Sequence, residues 1–196
     1  MPWLPDDRNT IDPDTAMVFS AMRYAAPADA ALKALKFHGD RSAARLMGSL
    51  LAMAATAAFA SGRLVRPDLL LPVPLHPQRL AARGYNQARL IAVHAGACLH
   101  LAVADDWLRR ERSTAPQTAL HAAERRRNVA GAFVAGPRAL SAASRRPLPR
   151  VALVDDVMTT GATLEAARAA LLAVGFVDVQ RWSVAMPMPT HTARPT

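Results

Sequence analysis

Residues 151–164 constrain this chain most: Val151-Ala152-Leu153-Val154-Asp155-Asp156-Val157-Met158-Thr159-Thr160-Gly161-Ala162-Thr163-Leu164. Four apolar residues run into two adjacent carboxylates, and a Thr-Thr-Gly turn then opens an Ala-rich segment of helical composition. The order strand, loop, helix puts that loop at the carboxyl end of a parallel strand. Open α/β sheets bind ligands there, and the free N–H groups of the helix start face the loop. Gly161 lets the backbone approach an anion with no Cβ in the way, and Thr159, Thr160 and Thr163 add hydroxyl donors. Carboxylates beside a phosphate must face hydroxyls or a metal, and the adjacent hydroxyls of a ribose suit a pair of acceptors. The loop therefore asks for a ribose 5-phosphate. Acids that merely cap the following helix would use the same residue types.

The remaining composition sets the frame. With 196 residues, 52% hydrophobic and 20% charged, the chain can bury one core with an appendage. The formal charge is +9, and Lys33 and Lys36 are the only lysines, so the excess is carried by arginine. Such a surface attracts phosphates of any kind. Cys98 is the only cysteine, which excludes an intrachain disulfide and a cysteine-based zinc site; its Ala-rich surroundings predict a small buried residue. The start, Met1 to Asp7, lacks the basic-then-apolar order of a secretory signal, and the apolar run Leu46 to Ala60 is shorter than the roughly 20 residues that span a bilayer. The expectation is a cytoplasmic protein with no membrane partner.

In chain order, residues 1–15 are a proline-punctuated tail, 16–187 the folded domain and 188–196 a second tail. Within the domain, 16–64 is expected to be an N-terminal helical or hood part and 65–187 the core sheet. The first part holds an extended piece from Met17 to Tyr24, a helix around Asp29 to Phe37, and a helix from about Ser42 to Ser61 with its Leu and Met residues inward. A core strand follows within Pro67 to Pro74. Its Pro72 demands a strand end or an irregular position, so the strand breaks into a loop at Val73-Pro74-Leu75-His76. That loop leads through Arg79 and Arg83-Gly84-Tyr85-Asn86-Gln87 into a helix reaching about His100; arginine in a first turn opposes the helix dipole unless an anion is present. Further strands are expected at Trp107 to Arg110, Gly131 to Val134 and Val177 to Ala185. Residues 135–150 read as a loop, and a helix as running from Glu165 to Val174 with Gly175 as its cap.

The run 151–164 resembles the phosphoribosyl pyrophosphate (PRPP) motif of type I phosphoribosyltransferases. Three further pieces accompany it: Leu35-Lys36-Phe37-His38-Gly39; Val73 to His76 with Arg83 to Gln87; and Arg110 through Gln117 with Arg125 and Asn128 to Phe133. Together they are similar to the ComF family, from about Phe19 to Pro187, without the four-cysteine zinc module that many ComF relatives carry at their start. The resemblance implies a twisted, mainly parallel sheet flanked by helices, Rossmann-like, with a small hood and a mobile loop. It implies displacement of pyrophosphate from C1 of PRPP with bound Mg²⁺, held mainly through PRPP itself. Asp155 and Asp156 would be the catalytic acids holding the ribose hydroxyls, and Met158, Thr159, Thr160, Gly161, Ala162 and Thr163 the 5-phosphate cradle. By position, Val73, Pro74, Leu75, His76, Arg79 and Arg83 would meet pyrophosphate. Arg110, Arg112, Gln117, Arg125 and Asn128 would belong to a flexible loop over 109–128 that orders with the ligand. Tyr85 either stacks on a base or packs its helix. The acceptor nucleophile is not named by any motif. A PRPP or nucleotide sensor and a DNA-uptake accessory protein are the competing functions, the last with only 5% aromatic residues to stack on single strands. A homodimer is compatible with either.

Overall fold

The computed structural model describes residues 18–23, 35, 41–113 and 122–186. Both tails, the helix expected around residues 29–37 apart from Leu35, and Gln117 lie outside them. Within them the strands are β1 (Val18–Arg23), β2 (Leu69–Pro72), β3 (Ala102–Val103), β4 (Leu108–Arg110), β5 (Phe133–Ala135), β6 (Val151–Val157) and β7 (Val179–Met186). The helices are α1 (Arg41–Ala60), α2 (Pro77–Arg83), α3 (Gln87–Leu99), α4 (Ala122–Val129), α5 (Pro137–Ala143) and α6 (Ala162–Leu172).

Five strands form one parallel sheet in the order β1-β7-β6-β2-β3. β6 lies at its centre, and Val151 to Val154 are buried on both faces, which explains a continuous apolar run rather than an alternating one. On one face Ala152, Val154 and Trp182 pack with α1 and α3; on the other Val151, Leu153 and Val179 pack with α6 and with Leu108 and Phe133 of the β4–β5 ribbon. Helices on both faces follow from parallel connections, which must cross over the sheet.

The register accounts for Pro72. Val73 N donates to Val154 O at 2.9 Å, so odd-numbered residues here face β6 and even-numbered ones face β3. β3 pairs only with Leu69 and Leu70, so the missing Pro72 N–H points where no strand is paired.

Several expectations need correction. β1 joins the sheet as its edge strand beside β7 rather than standing in a separate hood. Trp107 to Arg110 and Gly131 to Val134 do hold strands, but β4 and β5 pair antiparallel outside the main sheet. Residues 135–150 contain α5, started by Pro137 at its first position. Leu46 and Met53 of α1 are 52% and 68% exposed, because Met47, Leu51, Ala55 and Ala58 occupy the inward stripe. Cys98 is exposed, since Ile91, Ala92, Ala95 and Leu99 set the buried stripe of α3. Among the described helices α1 alone is long and apolar enough to cross a membrane; about 44% of its apolar window is buried here.

α1 and α3 approach closely at Gly48, where an added Cβ would lie 2.6 Å from His94 Cβ and 2.8 Å from Ile91 O. Gly48→Ala is expected to lower stability by about 1–3 kcal/mol through overpacking, against its better helix propensity. An unchanged or raised urea midpoint would show that the two helices can part without cost.

Candidate functional site

The parallel register brings the candidate residues to one end of the sheet. Val73 sits beside Val154, so the loop 73–76 leaves β2 next to the acids that end β6. Asp155 is half-buried and its Oδ1 accepts from Asp156 N at 2.8 Å; Asp156 is 4% exposed and its Oδ1 accepts from Val157 N at 2.9 Å. The strand thus orients both carboxylates through its own amides.

The loop after β6 forms a pocket lined by Asp155 and by Val157 to Leu164. Gly161 caps α6 at φ 71°, the left-handed region that other residues adopt only under strain, and no side chain caps the helix. A helix start without a side-chain cap is where an anion would meet backbone amides. The Thr160 hydroxyl oxygen is buried with no hydrogen-bond partner among the described residues. Met158 is 8% exposed, and its sulfur would lie 3.6 Å from a Cβ on Gly161, which makes it the apolar floor of the loop. An uncapped helix start with an orphaned hydroxyl fits a phosphate group. For a divalent cation the fit is narrower: the acids are hard oxygen donors of the kind Mg²⁺ takes, while among the described residues no three His, Cys, Asp or Glu gather into a cage.

The Arg-Gly-Tyr-Asn-Gln run is framework. Arg83 Nη1 donates to Gln87 Oε1 at 2.7 Å, Gly84 ends α2 at φ 79°, and Tyr85 Oη donates to Leu35 O at 2.5 Å. Asn86 Oδ1 accepts from Ala88 N and Arg89 N, while its Nδ2 donates to Val73 O at 3.0 Å. Tyr85 packs rather than stacks, and Asn86 ties the loop after β2 to α3. Arg83 lies in the last turn of α2, where the helix dipole favours it, so only Arg79 keeps the first-turn position that called for an anion. His76 caps α2: its Nδ1 accepts from Gln78 N at 3.3 Å.

The described parts of the expected flexible loop, residues 109–113 and 122–128, are largely built into other elements. Arg110 is 6% exposed in β4, with its guanidinium 5.3 Å over the Phe133 ring. Arg112 Nη2 donates to Asn128 O and, at 2.5 Å, to Ala130 O, closing the end of α4, and Arg125 and Asn128 belong to that helix. Antiparallel pairing with β5 holds β4, and in the alternation Leu108, Arg109, Arg110 both Leu108 and Arg110 are buried while Arg109 is exposed. That alternation was legible beforehand. Burial pushes the Arg110 pKa below its ordinary value, nearby Arg79 pushes it further, and Asp155 opposes both. Arg79, Arg110 and Asp155, drawn from three separated stretches, therefore share one electrostatic neighbourhood.

Sequence reasoning missed the ion pair that ties the start of α6 to β7. Arg181 of β7, 8% exposed, donates Nη1 to Glu165 Oε2 at 2.5 Å, and Arg168 Nη1 reaches Glu165 Oε1 at 3.3 Å. Burial lowers the Arg181 pKa, Glu165 raises it and Arg168 lowers it. Ser183, fully buried, stands opposite Asp155 in register, with no hydrogen-bond partner for its Oγ among the described residues. An arginine inside an apolar strand such as Val179 to Met186 was the available signal, since a buried cation needs a counter-charge.

No family-level sequence profile matches the chain. Individual relatives do. Competence protein F of Haemophilus influenzae is 34% identical over 164 residues, covering 83% of this chain and 69% of that protein. DNA utilization protein YhgH of Escherichia coli O157:H7 is 33% identical over 163 residues, covering 81% and 67%. YhgH of Salmonella typhimurium is 32% identical over 174 residues, covering 87% and 72%.

Glu165 joins the first turns of α6 to β7, so its loss takes a counter-charge away from buried Arg181, whereas Arg181→Met removes the charge and keeps the volume. Glu165→Gln is therefore expected to lower the melting temperature more than Arg181→Met. The reverse order in thermal unfolding would remove the ion pair from any role in holding the loop.

Proposed function

Because the chain belongs to the ComF family, with competence protein F and the YhgH proteins, we propose that it binds PRPP and transfers its phosphoribosyl group to a nucleophile, releasing pyrophosphate. The observation that carries this reading is the end of β6: two oriented carboxylates run directly into an uncapped helix start through a left-handed glycine. In the proposed complex, Thr159 to Thr163 hold the 5-phosphate on the α6 amides and hydroxyls. Asp155 and Asp156 accept hydrogen bonds from the ribose hydroxyls, and their negative charge steadies the cationic character that develops on the ribose as the C1–O bond to pyrophosphate breaks. Arg79 and Arg110 face the leaving pyrophosphate, with Arg110 set in place beforehand rather than delivered by a closing loop. Mg²⁺, when bound with PRPP, would neutralise charge on the leaving group.

A second reading is favoured by His76. Its Nδ1 is spent on the α2 cap, which takes this nitrogen out of proton transfer, as suits a protein that senses PRPP and transfers nothing. The names of the relatives, competence protein F and DNA utilization protein, support extending either reading to a role in DNA uptake or use.

Calorimetry with PRPP and Mg²⁺, followed by pyrophosphate release against a panel of bases and amines, separates transfer from sensing. Asp155→Asn with Asp156→Asn is expected to weaken PRPP at least about tenfold, since a hydrogen bond to a charged group is worth about 1.5–3 kcal/mol. Equal affinity in the two proteins would sink the ribose assignment. Arg110→Met is expected to weaken pyrophosphate more than ribose 5-phosphate in the same titration. An equal weakening of both would place Arg110 in the framework only.

A further inference from the structure

Two arginine-bearing links meet at the other end of the sheet. Residues 61–68 enter β2 and residues 144–150 enter β6, and the strands begin in parallel register at Leu69 and Val151. Both links therefore lie opposite the end that carries the loops 73–76 and 158–163. They are in contact: Asp68 N donates to Arg150 O at 2.8 Å, and Arg150 N donates to Asp68 Oδ2 at 2.7 Å.

Arg66, Arg145, Arg146 and Arg150 are exposed on these links and Arg63 is partly so. Asp178 lies 3.8 Å from Arg150, and Asp68 accepts the Arg150 amide. Among the described residues Arg63, Arg66, Arg145 and Arg146 have no carboxylate within ion-pair distance, whereas Arg89, Arg138, Arg150, Arg168 and Arg181 each have one. Three of the four are steadied by neutral acceptors. Arg63 Nε donates to Ser61 Oγ at 2.9 Å, Arg66 Nη2 donates to Leu99 O at 2.5 Å, and Arg146 Nη1 donates to Ala143 O and Arg145 O at 2.9 and 2.8 Å. A guanidinium has five donors, so each keeps most of them after these bonds, on a side chain already oriented.

We propose that this end of the sheet docks the phosphate backbone of DNA, at a site separate from the phosphate loop. Arginines without acidic partners suit phosphates, and their spread over two adjacent links suits a repeating polyanion better than one small anion. The exposed apolar residues here are Val65 and Val177, at 43% and 77%, which offer a membrane no large wedge. No aromatic ring is exposed among the described residues, so DNA is held by its backbone rather than by stacked bases, and single and double strands should both bind.

The test is fluorescence anisotropy of labelled single- and double-stranded oligonucleotides with the full chain over a range of salt. The triple variant Arg66→Ala, Arg145→Ala, Arg146→Ala should bind at least about tenfold more weakly at low salt, with a salt slope shallower by roughly one for each phosphate that no longer meets an arginine. The Arg→Lys triple should retain most of the binding, and saturating PRPP should leave wild-type binding unchanged. Wild-type affinity in the alanine triple, displacement of DNA by PRPP or pyrophosphate, or no DNA binding by wild type at low salt would each overturn the proposal. So would stronger binding to phosphatidylserine vesicles that the alanine triple abolishes while DNA binding survives. The readout does not use PRPP binding, so failure of that reading and failure of this one are distinguishable.

Discussion

The last rung of the ladder between β2 and β6, from Val73 N to Val154 O, is the contact on which the candidate site depends. It brings the ends of two parallel strands level, so a loop from residue 73 and a loop from residue 158 open side by side although they are far apart in sequence. Pro72 contributes by what it lacks: without an N–H it cannot extend pairing toward β3, and the chain leaves the sheet there. Asn86 completes the arrangement by donating to Val73 O, so departure from the sheet leaves that carbonyl satisfied.

Buried arginine recurs around the site, for different reasons. Arg181 is burdened by desolvation and answered by Glu165, a pair that joins α6 to β7 beside the loop that follows β6. Arg110 is burdened by desolvation and by Arg79, and Asp155 and the face of Phe133 offset part of that cost. A cation buried near a second cation suits a site that receives an anion, because the anion relieves what the fold has left unfavourable. The arginines of the links 61–68 and 144–150 are exposed and hydrated, so they carry charge at little cost to stability.

Much of the site was legible because its signals are local. An apolar run, two acids, two threonines and a glycine define strand, loop and helix start within 14 residues, and the structure keeps that order from β6 into α6. The Arg83 to Gln87 run was equally visible, but the caps and ties its residues make were not, since sequence shows donors without showing their acceptors. Among the described residues of the 109–128 segment, the charge pattern hid the local contacts for a related reason. Charge suggests solvent exposure, yet pairing of β4 with β5 buries Arg110, and the carbonyls that end α4 engage Arg112.

By itself the sequence determined the parallel α/β class, the strand, loop and helix order of residues 151–164 and the break at Pro72, because each follows from backbone preferences over a few neighbouring residues. Only the tertiary structure decided which arginines are buried and which are exposed, that Arg79, Arg110 and Asp155 share one neighbourhood, and that Glu165 and Arg181 support the loop. Burial and long-range pairing arise from the order of strands in the sheet, and that order depends on how distant apolar faces pack together, which no local spacing encodes.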